Sequence, residues 1–281
     1  MRRNLPVFIG CDASYDEASA ALFGAPFDST TSFRPGARFG CSAMRTESIG
    51  IETYSPYQGR DLSDVKVFDA GDLELPFGNA DAAIREIEKF CGIVLDDGKH
   101  PVMMGGEHLV TLGAVRAAAA RRNGLRVVHF DAHADLRDEY MGESLSHAAV
   151  IRRVWDVVGY GAVYQFGIRS GAREEFEWAR SHVSTELFRA DTAPRVAREL
   201  SGRPIYITLD LDVLDPSEFP GTGTPEAGGL SFWELRNALM AFAGCDVVAF
   251  DICELSPHYD PSAISTAVAC KLLREMLLAF L

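Results

Sequence analysis

Three side chains able to bind a metal stand at spacing two in Asp131-Ala132-His133-Ala134-Asp135, directly after the apolar run 126–130. In extended backbone that spacing sends all three to one side. A second run, 205–209, ends in Asp210-Leu211-Asp212 and repeats the device with two carboxylates. A third, 102–104, leads into Gly105-Gly106-Glu107-His108, where the glycines let the chain turn tightly and present an imidazole. Four carboxylates in one place repel, and their pKa values climb unless cations compensate them. The set His108, Asp131, His133, Asp135, Asp210 and Asp212 offers imidazoles and carboxylates without a thiolate. That chemistry suits a hard or borderline ion, with Mn2+ as first choice and Fe, Co, Ni and Zn compatible by ligand type. Two such ions can share a water and lower its pKa from about 15.7 to about 7, which makes hydroxide at neutral pH.

Taken singly, each piece has an ordinary structural use. An Asp-x-Asp after a strand is often a turn or a helix cap, and a lone histidine after Gly-Gly is often a satisfied loop residue. Together, on successive strand ends, they point to a metal site. His129 shares the parity of Asp131 and is placed to support it. Glu107 reads as a cap for the following helix. His100, His182 and His258 have no local partner pattern, and Trp155, Trp178 and Trp233 read as core or interface residues. The six cysteines lie far apart with no CxxC pair, which predicts reduced and mostly buried thiols.

The elements that must position these groups alternate regularly. Strands are predicted over 18–27, 65–69, 101–105, 126–131, 163–168, 205–211 and 245–252, and helices over 82–95, 109–121, 146–158, 232–242 and 263–280. Nearly continuous apolar strands separated by helices predict a parallel sheet covered on both faces. All three ligand groups then fall past the carboxyl ends of strands, where open parallel sheets bind ligands. No linker or repeat interrupts the alternation, so the 281 residues are read as one domain, 1–281. With 27 basic against 40 acidic residues and a net charge of −13, a nucleic-acid partner is not expected. No apolar run of membrane-spanning length exists, and Met1-Arg2-Arg3 leads into no signal region, so no membrane partner and a cytoplasmic location are expected. Helix 263–280 is apolar on more than one side, which suggests an oligomer contact.

The sequence resembles the ureohydrolases, the family of arginase and agmatinase that hydrolyses a guanidino group. Gly105-Gly106-Glu107-His108, Asp131 to Asp135 and the stretch 209–229 (LDLDVLDPSEFPGTGTPEAGG) look like its three signatures in order. The stretches 34–40 (RPGARFG) and 251–257 (DICELSP) extend the likeness over nearly the whole chain. Thr208 stands where the family often has Ser. The resemblance implies a three-layer α/β/α sandwich with a mostly parallel central sheet, assembled as a trimer or hexamer. It implies two Mn2+ per subunit, one held by His108, Asp131, Asp135 and Asp210, the other by Asp131, His133, Asp210 and Asp212. Asp135 would orient the attacking hydroxide and take its proton. Glu254 would grip the guanidinium with a fixed carboxylate. His147 would help to protonate the departing nitrogen; its alternative reading is a neighbour of a helix cap at Ser146.

The substrate tail is the open question. Arginases usually carry an Asn shortly after the second metal motif, and here the segment reads Asp135-Leu136-Arg137-Asp138-Glu139-Tyr140. This resembles agmatinases, so a small cationic guanidino substrate is expected, agmatine giving urea and putrescine. Asp138, Glu139 and Glu143 are compatible with attracting a dication or with an ordinary solvated loop. Arg137 could instead meet a carboxylate tail, which keeps guanidinobutyrate, another guanidino acid, arginine, guanidine and formiminoglutamate in view. A protein of this fold that binds metal without turnover would normally lack a ligand, and a two-metal phosphoesterase would need basic residues that these loops do not supply.

Overall fold

The computed structural model describes residues 6–281; residues 1–5, on which the expected absence of a signal region partly rests, lie outside them. Among these described residues, ten strands and eight α-helices form. In chain order they are β1 (Ala20–Ala25), α1 (Gly40–Glu47), β2 (Tyr54–Ser55), β3 (Arg60–Asp61), β4 (Val67–Asp72), α2 (Ala80–Asp96), β5 (His100–Gly105), α3 (Thr111–Arg121) and β6 (Arg126–Phe130). There follow α4 (Val150–Val158), β7 (Val163–Ile168), α5 (Arg173–His182), β8 (Ser184–Leu187), α6 (Ala193–Glu199), β9 (Pro204–Asp210), α7 (Phe232–Met240), β10 (Asp246–Cys253) and α8 (Ile264–Phe280).

Eight strands form one sheet in the order β4-β1-β5-β10-β9-β6-β7-β8, and β2 and β3 make a separate small hairpin. Every pairing in the large sheet is parallel. Its central strands are buried over nearly their whole length, as the continuous apolar runs require. One face packs on α1, α6, α7 and α8 through residues such as Met44, Val196, Leu235 and Leu272. The other packs on α2, α3, α4 and α5 through Ile84, Val115, Val154 and Ala179. The architecture is therefore the expected α/β/α sandwich.

Four neighbouring strands in the middle of that sheet, β5, β10, β9 and β6, end on the same edge. Strand neighbours lie about 4.8 Å apart, so residues at or just beyond these four ends share a narrow strip. His108, Glu254, Asp210 and Asp131 are those residues.

The structure narrows two sequence expectations. Most of the surplus apolar surface expected on helix 263–280 is taken up within the chain, where Leu272, Leu273, Met276 and Leu277 of α8 are fully buried and the helix packs on α1, α7 and β10, while Ile264 at its start stays exposed. Of the core and interface readings of Trp233, the structure removes only the first: the side chain is largely exposed on α7 and packs edge-on to Tyr57. All six cysteines are unpaired and five are buried. Among the described residues, no helix is long and apolar enough to cross a membrane.

Candidate metal centre

The turn after β5 depends on its two glycines. A Cβ on Gly105 would stand 2.3 Å from Cys253 Sγ, and one on Gly106 would stand 2.0 Å from the carbonyl oxygen of Phe27. With that room the chain turns at once, and His108 enters the pocket at the start of a short 3-10 turn. After β6 the backbone leaves the extended state, and Asp135 takes φ +53°, a left-handed conformation costly for a non-glycine residue. Its carbonyl accepts hydrogen bonds from Ile151 (3.0 Å) and Arg152 (3.1 Å), which ties the end of the motif to α4. Glu254 after β10 is also left-handed, at φ +65°. Two strained residues at one strip of strand ends mark it as a site.

All six expected ligands converge there. His108 Nδ1 lies 3.0 Å from Asp131 Oδ2, 3.2 Å from Asp135 Oδ2 and 3.4 Å from Asp210 Oδ2. His133 Nδ1 lies 2.9 Å from Asp212 Oδ2 and 3.5 Å from Asp131 Oδ1. Asp131 thus faces both imidazoles. Asp210 Oδ1 accepts the backbone N–H of Asp212 at 2.9 Å, and Asp212 Oδ1 accepts that of Ala132 at 3.1 Å.

The tautomer of His108 decides whether a cation fits. The Thr208 hydroxyl donates its proton to Asp251 Oδ1 at 2.7 Å, so towards His108 Nε2, 2.8 Å away, it accepts. Nε2 then carries the proton of a neutral ring and Nδ1 its lone pair. Nδ1 is buried, faces three carboxylates and has no well-formed hydrogen bond. A lone pair turned on three anionic oxygens is stable only with a positive charge between them. Without a metal, that charge must be a proton: burial lowers the His108 pKa, but Asp131, Asp135 and Asp210 outweigh it and hold it well above the ordinary value. The carboxylates divide: despite burial, hydrogen bonds from His108, His129 and His133 hold Asp131 well below its ordinary value, while two others rise. Burial and the charges of Asp212 and Asp131 raise Asp210, and burial and Asp131 push Asp135 up to about 7. The residues present fit a divalent metal cluster.

His129 supports Asp131 in the way its parity suggested. Thr185 donates to Gln165 Oε1 at 2.9 Å, and Gln165 Nε2 bonds Ala134 O at 2.8 Å and His129 Nδ1 at 3.1 Å. With Nδ1 accepting, Nε2 carries the proton and donates to Asp131 Oδ2 at 2.8 Å. Burial keeps His129 below its ordinary pKa, hence neutral. Partners that aim a metal-binding carboxylate are each worth about 10–100-fold in affinity, so His129→Phe or Gln165→Leu should weaken metal binding by that factor in a chelator competition. Affinity equal to the parent would contradict this. A metal present at about 100 times its Kd adds about 2.7 kcal/mol of stability, so EDTA should lower the Tm by about 5–10 °C. An unchanged Tm would mean that no metal is held in the folded state.

The remaining expected residues line one pocket of about 280 Å³ with all the ligands except Asp131. Glu254 Oε1 accepts the backbone N–H of His108 at 2.8 Å, while Oε2 has no hydrogen-bond partner among the described residues. Burial, then the Glu107 charge, raises its pKa well above the ordinary value. His147 opens a 3-10 turn before α4, with Thr30 Oγ1 3.4 Å from Nδ1 and Ser32 Oγ 3.3 Å from Nε2. The cap reading fails, since Ser146 makes no side-chain cap and its hydroxyl is buried without a partner. Burial brings the His147 pKa down to about 4, so the ring is neutral at pH 7. Arg137 Nε lies 3.5 Å from Glu175 Oε2, and its guanidinium sits 4.8 Å from the Tyr140 ring centre. Asp138 pairs with Arg153 on the exposed surface, and neither it nor Glu139 or Glu143 lines this pocket. Glu107 makes no helix cap; it accepts from Thr30 and Thr31, which corrects the sequence reading. Glu175, Gln165, Thr185 and Thr30 carry no local motif and were missed in the sequence.

The arginase family model matches residues 18–279. An agmatinase of Bacillus anthracis is 47% identical over 279 residues, covering 98% of this chain and 96% of its own. The chain belongs to the arginase family. The guanidinobutyrase of Pseudomonas aeruginosa is 34% identical, with 94% of this chain and 87% of that protein covered. The agmatine ureohydrolase structure of Thermoplasma volcanium superposes with a TM-score of 0.91 at 34% identity, over 99% of this chain and 95% of that one. As a member of the arginase family, the protein is a ureohydrolase, cleaving C–N bonds.

Proposed function

We propose that the protein hydrolyses agmatine to urea and putrescine, using two Mn2+ per chain. His108, Asp131, Asp135 and Asp210 would hold one ion, and Asp131, His133, Asp210 and Asp212 the other. When bound, such a pair supplies the charge that makes water a nucleophile at neutral pH. The chain's own residues do the rest. Glu254 presents a carboxylate oxygen to the guanidinium and orients its carbon for attack. Asp135, whose Oδ2 lies 3.2 Å from His108 Nδ1 inside the ligand cluster, would receive the proton that attacking water gives up. His147 is held neutral, so it begins turnover as an acceptor and can pass a proton to the departing nitrogen. One water is consumed, and the C–N bond to the butylamine arm breaks.

The observation that carries the agmatine reading is the state of Arg137. Its charge is already met by buried Glu175 and its face by Tyr140, so the wall offers no free cation to a carboxylate tail. The likeness to agmatinases over 98% of the chain agrees. A second reading, a guanidino acid such as guanidinobutyrate, draws on the same residue, because the Arg137 side chain stays 37% exposed and the guanidinobutyrase likeness is substantial. Urea release from agmatine, guanidinobutyrate, arginine and guanidine side by side, with formamide release from formiminoglutamate, tests this. Agmatine should give the highest kcat/KM; a higher value for guanidinobutyrate would reject the reading and make Arg137 the carboxylate contact.

His147 gives a prediction with a definite sign. A histidine whose folded pKa lies below its unfolded value costs stability as pH falls from the ordinary 6.5 towards about 4. His147→Gln should therefore lose less stability than the parent across that window, and the His147 ring should titrate near 4 by NMR. A ring titrating near 6.5 would contradict both.

The proposal extends to a single catalytic domain over 1–281, a homo-oligomer of trimer or hexamer size, and a cytoplasmic location. Exposed Leu187 and Phe188 beside the edge strand β8 support the second, and six unpaired cysteines the third. Light scattering checks the assembly.

A further inference from the structure

We propose that Glu107 and Thr30 form a clamp that positions His147 and selects its tautomer. The inference rests on the proton-transfer role of His147 proposed above.

Glu107 is fully buried, and no Lys, Arg or His lies within salt-bridge distance of it among the described residues. Both of its carboxyl oxygens are spent on one loop. Oε2 accepts the backbone N–H of Thr30 at 2.9 Å and the Thr31 hydroxyl at 3.2 Å, and Oε1 accepts the Thr30 hydroxyl at 2.7 Å. Its own N–H donates to Phe27 O at 2.7 Å, a contact that only glycine at position 106 permits. One residue therefore staples the loop after β1 to the turn after β5.

The far side of the staple is His147. Because the single proton of the Thr30 hydroxyl goes to Glu107, that oxygen faces His147 as an acceptor only. It takes the His147 backbone N–H at 3.1 Å and lies 3.4 Å from Nδ1. An acceptor there keeps the ring proton on Nδ1 and leaves the lone pair on Nε2. Ser32, carried on the same loop, lies 3.3 Å from Nε2 and lines the pocket with the ring. Tyr140 closes the other side edge-on, with ring centres 5.9 Å apart. Nothing on the histidine's own helix holds it, since the Ser146 hydroxyl has no partner. Thr30 and Glu107 are positioning residues that act through His147.

The test uses Thr30→Val, Thr30→Ser and Glu107→Gln in the metal-loaded protein, with the threonine variants also made in a His147→Ala background. Thr30→Val should lower kcat about tenfold or more, with KM within about twofold and metal content unchanged, because the lost contact orients a proton carrier rather than binding substrate. Thr30→Ser, which keeps the hydroxyl, should return to within about threefold of the parent. Glu107→Gln should fall in the same direction as Thr30→Val. In the His147→Ala background, Thr30→Val should add no further loss beyond about twofold, as expected when two residues act as one unit. The His147 ring nitrogens, read by NMR, should show the proton on Nδ1 in the parent and a mixture in Thr30→Val. Full activity of Thr30→Val, equal loss in Thr30→Ser, or the same loss repeated in the His147→Ala background would each overturn the clamp. If His147→Ala alone keeps the parent rate, the role of His147 falls and the clamp with it. A slow His147→Ala beside a fast Thr30→Val rejects the clamp only.

Discussion

Asp210→Asn is expected to abolish turnover while leaving the metal-free protein at least as stable as its parent. Asp210 lies within 3.4 Å of His108 Nδ1, and in the proposed scheme it serves both ions. Losing its charge removes several kcal/mol of electrostatic stabilisation at about 1.36 kcal/mol per tenfold, so the rate should fall by at least about 10³, with metal content dropping in parallel. Stability should move the other way. Burial, then Asp212 and Asp131, hold the Asp210 pKa well above its ordinary 3.8. An acid whose folded pKa is raised contributes stability at low pH and loses it as pH rises through the folded value. A neutral amide escapes that loss and still accepts the Asp212 N–H, which the parent carboxylate holds at 2.9 Å. The metal-free variant should gain on the metal-free parent as pH rises above about 4, and Mn2+ should stabilise it far less. Normal metal content with a normal rate would remove Asp210 from the ligand set.

Glu254→Gln should separate substrate binding from metal binding. The amide oxygen can still accept the His108 N–H, which the parent holds at 2.8 Å, so the metals should stay. Towards a guanidinium, however, the substitution replaces a charged acceptor with a group that also carries donors. A hydrogen bond to a charged group is worth about 1.5–3 kcal/mol, so losing one or two should cut kcat/KM by about 100-fold or more. An unchanged kcat/KM would take Glu254 out of the site. Loss of metal instead would show that its main task is to fix His108.

The site was legible because its ligands are grouped in short local motifs at strand ends, and the parallel alternation around them says which ends converge. Asp131, His133 and Asp135 stand together in the chain, and their meeting with Asp210, Asp212 and His108 follows from the order β6, β9, β10, β5 in the middle of the sheet. The residues that aim them were not legible, because each acts across a long sequence separation with no pattern of its own. Thr185 reaches Asp131 only through Gln165 and His129, and Asp251 reaches His108 only through Thr208. Glu107 misled for a related reason. Its place before a helix matches a cap, and only the packing of a loop some 77 positions away reveals its partner.

Among the elements, β8 escaped because it is a four-residue edge strand without a fully buried position. α5 escaped because Glu175 and Ala179 are its only buried residues, which leaves no apolar period to read. The extended backbone expected through Asp135 was also too simple. The strand stops at Phe130, and the left-handed turn at Asp135 does the aiming.

The most direct test is metal content measured together with urea release from agmatine on one preparation, before EDTA, after EDTA and after return of Mn2+. The expected result is two ions per chain with activity, loss of both with EDTA, and recovery of both with Mn2+. Undiminished urea release from protein shown to be free of metal would contradict the central claim, as would two bound ions with no urea from any guanidino substrate.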